Sequence, residues 1–144
     1  MYLDSAIVVK LLVKEELSEF LEESLRDLRV ATSGLSVLEV RSALFSKLRT
    51  KSLSERQRLL AWQAFQEKIG RGEIKIFPLV DPIFHKAAEV IDKCNPAVAL
   101  RTLDAIHLAS CDFSQEFPLC ATDSRMRAAA AKLGIPVFPK TLPA

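Results

Sequence analysis

The sequence predicts an α/β protein, a three-layer α/β/α sandwich built on a mostly parallel central sheet. Short apolar runs end in turn residues or acids, longer stretches with helical spacing lie between them, and one or two helices separate each pair of runs. Strands joined this way need crossover connections, which make neighbouring strands parallel and lay helices on both faces of the sheet. With 144 residues and no internal repeat, low-complexity segment or long linker, a single domain over residues 1–144 is expected.

The order of elements begins with an apolar run ending at Asp4, after which Ile7, Val8, Leu11 and Leu12 follow helical spacing. Residues 15–29 carry Leu17, Phe20, Leu21, Leu25 and Leu28 between charged residues, the mark of an amphipathic helix. Residues 30–33 form a strand bounded by Gly34, and Val37, Val40, Leu44 and Leu48 then share one helical face. Ser54 and Gln57 have capping-box spacing at the head of a helix through Leu59, Trp62, Phe65 and Ile69, closed by Gly70 and Gly72. Residues 73–80 read as a strand, and Asp81-Pro82 as a cap and first helical residue of a helix to about Cys94. After Asn95-Pro96, residues 98–112 are helical in spacing but apolar on almost every side, so that helix is expected inside the domain. A strand at 119–122, an alanine-rich helix at 124–133 closed by Gly134, and a strand at 135–138 complete the chain.

Bulk properties exclude several classes. A formal charge of +2 is too small to announce a nucleic-acid binder, so any basic surface must be local, and residues 47–58 are the one basic stretch. Cys94, Cys111 and Cys120 are odd in number, lack C-x-x-C spacing and sit among apolar residues, which predicts buried thiols in a reducing compartment. No apolar run is long enough to span a membrane and the first residues lack a secretory pattern; a cytoplasmic protein is expected. Walker, G-x-G-x-x-G and G-x-S-x-G motifs are absent, and the two histidines have no metal-site spacing.

Carboxylates remain. Asp4 and Asp123 follow strands, where parallel sheets bind ligands, although each reads equally well as a helix cap. Asp104 lies on an apolar helical face with Leu100, Leu108 and Cys111, and needs a cation, a hydrogen-bonding partner or a proton; Arg101, one turn earlier, is a candidate. Glu39 has only small neighbours, Ser36, Ser42, Ala43 and Ser46, and by periodicity alone reads as a surface residue. His107 reads as a hydrogen-bonded core residue.

Four segments together resemble PIN domains: Tyr2-Leu3-Asp4-Ser5-Ala6, Ser36-Val37-Leu38-Glu39-Val40-Arg41, Thr102-Leu103-Asp104-Ala105-Ile106-His107-Leu108-Ala109, and Ala121-Thr122-Asp123 with the alanine-rich helix after it. Ala6 and Thr122 stand where many relatives carry a hydroxyl residue and an aromatic. The resemblance implies metal-dependent cleavage of RNA, with Asp4, Glu39, Asp104 and Asp123 as catalytic and metal-binding acids, and it alone promotes Glu39. Oxygen ligands suit Mg²⁺ or Mn²⁺, which would lower the pKa of a bound water and favour in-line displacement at phosphorus. PIN proteins of this length resemble VapC-like ribonuclease toxins of type II toxin–antitoxin pairs, which implies an RNA substrate, a small VapB-like antitoxin and a homodimer. Two alternatives stand beside this one. A catalytically silent binding module of the same fold would show no metal-restored cleavage, and a receiver-like signalling domain would need an acid ending its third strand.

Overall fold

In the computed structural model, which describes residues 1–144, the strands are β1 (Tyr2–Leu3), β2 (Val30–Ser33), β3 (Ile74–Phe77), β4 (Leu119–Cys120) and β5 (Val137–Phe138). All pair in parallel, in the order β3-β2-β1-β4-β5. The helices are α1 (Ser5–Leu12), α2 (Ser18–Leu25), α3 (Gly34–Arg49), α4 (Glu55–Gly70), α5 (Asp81–Cys94), α6 (Thr102–Ser114) and α7 (Ser124–Leu133). The predicted α/β class and parallel sheet are thus observed.

Side chains alternate across a strand, and each of the two central strands feeds both layers. Tyr2 and Leu119, register partners, join the core beneath α5, α6 and α7, whereas Leu3 and Cys120, the next pair, join the core beneath α1 to α4. Burying a side chain such as Leu21 or Leu108 stabilises the fold by roughly 1.5–3 kcal/mol. Every residue from Asp104 to Cys111 is buried, so α6 is the internal helix its composition predicts. The three cysteines are free and buried, and burial pushes the Cys111 and Cys120 thiols up to about 12.

Element ends depart from the expected bounds. Arg26 turns out of α2 and Asp27 adopts a φ of 62°, which ends that helix early and leaves Leu28 exposed. β3 stops at Phe77 because Pro78 has no N–H for the ladder. Val80 caps α5, with Asp81 already helical and Pro82 second, and α6 begins at Thr102, not 98. The Ser54–Gln57 capping box and the Gly134 terminus, at φ 71°, form as predicted.

The strand order sets the position of the site. The chain winds outward from β1 through β2 to β3, then returns to β1's other side for β4 and β5. The helix leaving β1 packs on one face and the helix leaving β4 on the other, so a crevice opens at the carboxyl ends of these two strands. No helix is long and apolar enough to cross a membrane.

Candidate functional site

Asp4 ends β1 and Asp123 follows β4, one on each side of that crevice. Asp4 Oδ1 accepts from Ile7 N at 2.9 Å, capping α1, and the residue is 3% exposed. Burial pushes its carboxyl up to about 6; the Ile7 N–H and His107 oppose the shift, while the charges of Asp104 and Glu39 add to it. Asp123 caps α7, its Oδ1 accepting from Met126 N at 2.9 Å.

Asp104, in the first turn of α6, is buried, and Arg101 is the partner it requires. Arg101 Nε donates to Asp104 Oδ2 at 2.8 Å, and Nη2 lies 3.8 Å from Asp123 Oδ2. One guanidinium therefore spans two of the four acids. The hydrogen bond to Asp104 is the main cause holding Arg101 above its ordinary pKa, and Asp123 and Glu39 contribute.

Glu39, on α3, is only partly exposed, contrary to what its periodicity suggests. Its Oε1 lies 2.5 Å from His107 Nε2. His107 is buried and hydrogen-bonded as expected, with Nδ1 2.9 Å from the Tyr2 hydroxyl. The sequence reading missed the contact with Glu39, although Asp104 and His107, three residues apart on one helix, share a face. Ser33 and Ser110 hydroxyls are buried near the same phenol without a hydrogen-bond partner.

An open groove of about 430 Å³ is lined by one of the four acids, Glu39, together with Ser5, Ala6, Val9, Arg49 and Leu103 among others. A larger cavity of about 620 Å³ contains none of the four acids; Arg26, Arg29, Lys68 and Arg71 line it with Glu22, Asp27 and Glu73, near the start of β2 and β3. Within the basic stretch, Lys47 pairs with Glu15. Arg58 binds Glu55 at 2.7 Å and lies 4.2 Å over the Phe45 ring. Those two cations are engaged in holding the fold, whereas Arg49 faces the groove.

The chemistry of the donors suits a hard divalent cation: every acid offers oxygen, Asp4 and Asp104 are both buried, and burial, with the charges of Asp104 and Glu39 adding to it, makes an ionised Asp4 costly without a cation. No three His, Cys, Asp or Glu side chains are disposed closely enough to enclose an ion as they stand. One or two direct carboxylates with retained waters is the arrangement this spacing permits, as Mg²⁺ commonly prefers.

A family model described as PIN domain matches residues 1–132. No curated protein matches the chain in sequence. Among solved structures, FitAcB from Neisseria gonorrhoeae superposes with a TM-score of 0.67 at 16% identity, covering 95% of each chain. FitAB bound to an IR36 DNA fragment gives 0.70 at 19% identity over 99% of this chain and 97% of its own. VapC20 of Mycobacterium tuberculosis, described as a sarcin–ricin loop cleaving toxin, gives 0.67 at 16% over 89% and 93%. At these identities the likeness is one of fold.

Proposed function

The chain belongs to the PIN domain family, and from that premise we propose that it is a divalent-metal-dependent endoribonuclease, the toxin of a VapBC-type toxin–antitoxin pair. It works as a single domain over residues 1–144, with Asp4, Glu39, Asp104 and Asp123 as catalytic and metal-binding acids. The observation that carries this reading is the shared electrostatic neighbourhood of Asp4, Asp104 and Glu39, with Asp123 joined to Asp104 through Arg101. The acids come from the end of β1, from α3, from α6 and from the loop after β4, and although Asp4 and Asp123 also cap helices, each of those caps uses only one carboxylate oxygen.

Asp4 and Asp104 are the core ligands for Mg²⁺ or Mn²⁺, and Glu39 and Asp123 complete the set directly or through water. Once bound, the cation would activate a water and offset charge on the phosphate in displacement. The groove admits the RNA backbone past Glu39, and Arg49 on its wall supplies a cation to a phosphate. The backbone N–H groups of Ile7 and Met126 fix the Asp4 and Asp123 carboxylates in single orientations, which lowers the reorganisation needed at the phosphorus.

The cellular setting is the cytoplasm, with the protein a homodimer restrained by a small VapB-like antitoxin. The similarity to FitAcB, FitAB and a Klebsiella pneumoniae toxin–antitoxin complex supports a partner of that kind. Purified protein incubated with total RNA should cleave it with Mn²⁺ and stop with EDTA, and Asp104→Asn should be folded and inactive. Full activity in Asp104→Asn would overturn the assignment, and a folded wild type without metal-restored cleavage would leave a silent binding module.

A further inference from the structure

We propose that His107 is a positioning residue for the acidic site: its Nε2–H holds the Glu39 carboxylate at the wall of the groove, and the Tyr2 hydroxyl sets the tautomer that allows this. The inference rests on the metal-nuclease reading and deepens it. Its basis is a chain of contacts crossing the fold, from Tyr2 on β1 to His107 on α6 to Glu39 on α3.

The two ring nitrogens have different partners. A carboxylate only accepts, so the nitrogen facing Glu39 must carry a proton. The phenol donates as well as accepts, and with its O–H directed to Nδ1 the neutral ring carries its proton on Nε2. The reverse tautomer would set a nitrogen lone pair against a carboxylate lone pair at 2.5 Å. Tyr2 and His107 are both buried, and their rings meet edge to face with centroids 5.9 Å apart, so the pair has little freedom to turn.

Glu39 differs in this respect. Its side chain is 25% exposed and has several rotatable bonds, and Oε1 is the one atom fixed by a partner. With that oxygen held, Oε2 is left to the groove. Helix α6 thereby supplies one acid, Asp104, and three residues later the anchor for another. A buried imidazole needs a partner at each ring nitrogen, and here Tyr2 and Glu39 are those partners.

The test compares Mn²⁺ affinity, read from free-ion electron paramagnetic resonance, in wild type, His107→Leu, His107→Gln and Tyr2→Phe, each also in a Glu39→Ala background. Residues that orient a metal ligand typically change metal affinity by about 10–100-fold when removed. His107→Leu should weaken Mn²⁺ binding by that factor, and His107→Gln, whose amide can donate from a similar place, should recover most of it. Tyr2→Phe should fall between, and none of the three should cost further affinity once Glu39 is gone. In the metal-free wild type, ¹⁵N shifts of the His107 ring should report the proton on Nε2.

Unchanged Mn²⁺ affinity in a folded His107→Leu protein, an equal loss in the Glu39→Ala background, or a proton on Nδ1 would each overturn the proposal. If His107→Leu does not fold, the isosteric Tyr2→Phe and the ring shifts decide it. A wild type that holds the Nε2 proton but binds no Mn²⁺ sinks the nuclease reading and the metal-holding role with it. That pattern is distinct from a wild type that binds Mn²⁺ and is indifferent to His107.

Discussion

Arg101 Nε donates a 2.8 Å hydrogen bond to Asp104 Oδ2, so a nearly buried carboxylate is neutralised by a guanidinium that is itself largely in solvent. A divalent cation at Asp104 must compete with that guanidinium for the same oxygen. Arg101→Ala should therefore bind Mn²⁺ more tightly than wild type, by direct titration. The metal-free variant should lose about 1 kcal/mol or less of stability, because the guanidinium is more than half exposed and solvent screens its side of the pair. Weaker Mn²⁺ binding would show that Arg101 does not obstruct the site.

Asp123 has two separable roles. Oδ1 accepts from Met126 N as the cap of α7, and Oδ2 faces Arg101. Asp123→Asn keeps a capping oxygen and should unfold near the wild-type temperature, whereas Asp123→Ala should lose about 1 kcal/mol. Both should lose metal affinity, so the two variants separate stability from binding in one calorimetric series.

Asp4 gives a pH dependence of defined sign. Its carboxyl is pushed from 3.8 to about 6 by burial, so the folded state holds this proton more tightly than the unfolded state does. The native chain binds the extra proton between those values, and this group's contribution to stability falls as pH rises through that window. The ceiling is on the order of 3 kcal/mol. Urea unfolding in EDTA should thus show wild type losing stability from about pH 4 to pH 7 relative to Asp4→Asn. Mn²⁺ affinity should move oppositely, strengthening through about pH 6 as the carboxyl ionises. A flat difference between the two proteins would mean that Asp4 is solvated.

Arg49 is the basic-stretch residue placed on the groove wall. Arg49→Ala should weaken RNA binding with little change in melting temperature, and should reduce the slope of log affinity against log salt by about 1. Lys47→Ala, by contrast, removes the partner of Glu15 and should act on stability. Equal salt slopes for wild type and Arg49→Ala would exclude a phosphate contact there.

Much of the fold was legible because hydrophobic spacing is local. Phe65, Val40, Leu44 and Leu108 fall inside as their spacing requires, and the capping box at Ser54 marks its helix start. The misplaced ends of α2 and α6 depend on backbone torsions, such as those of Arg26 and Asp27, which spacing does not encode. Asp104 announced itself as a charge on an apolar face. Glu39 did not, because the contact that withdraws it from solvent spans 68 residues in sequence, a separation no helical period can register.

The buried thiols make the chain its own gauge of opening. Cys94 and Cys111 lie in one core and Cys120 in the other, all unable to meet a solvent reagent in the closed molecule. A thiol-directed dye should label nothing until a layer lifts from the sheet. Peptide mapping of the labelled protein would then tell which side parted first.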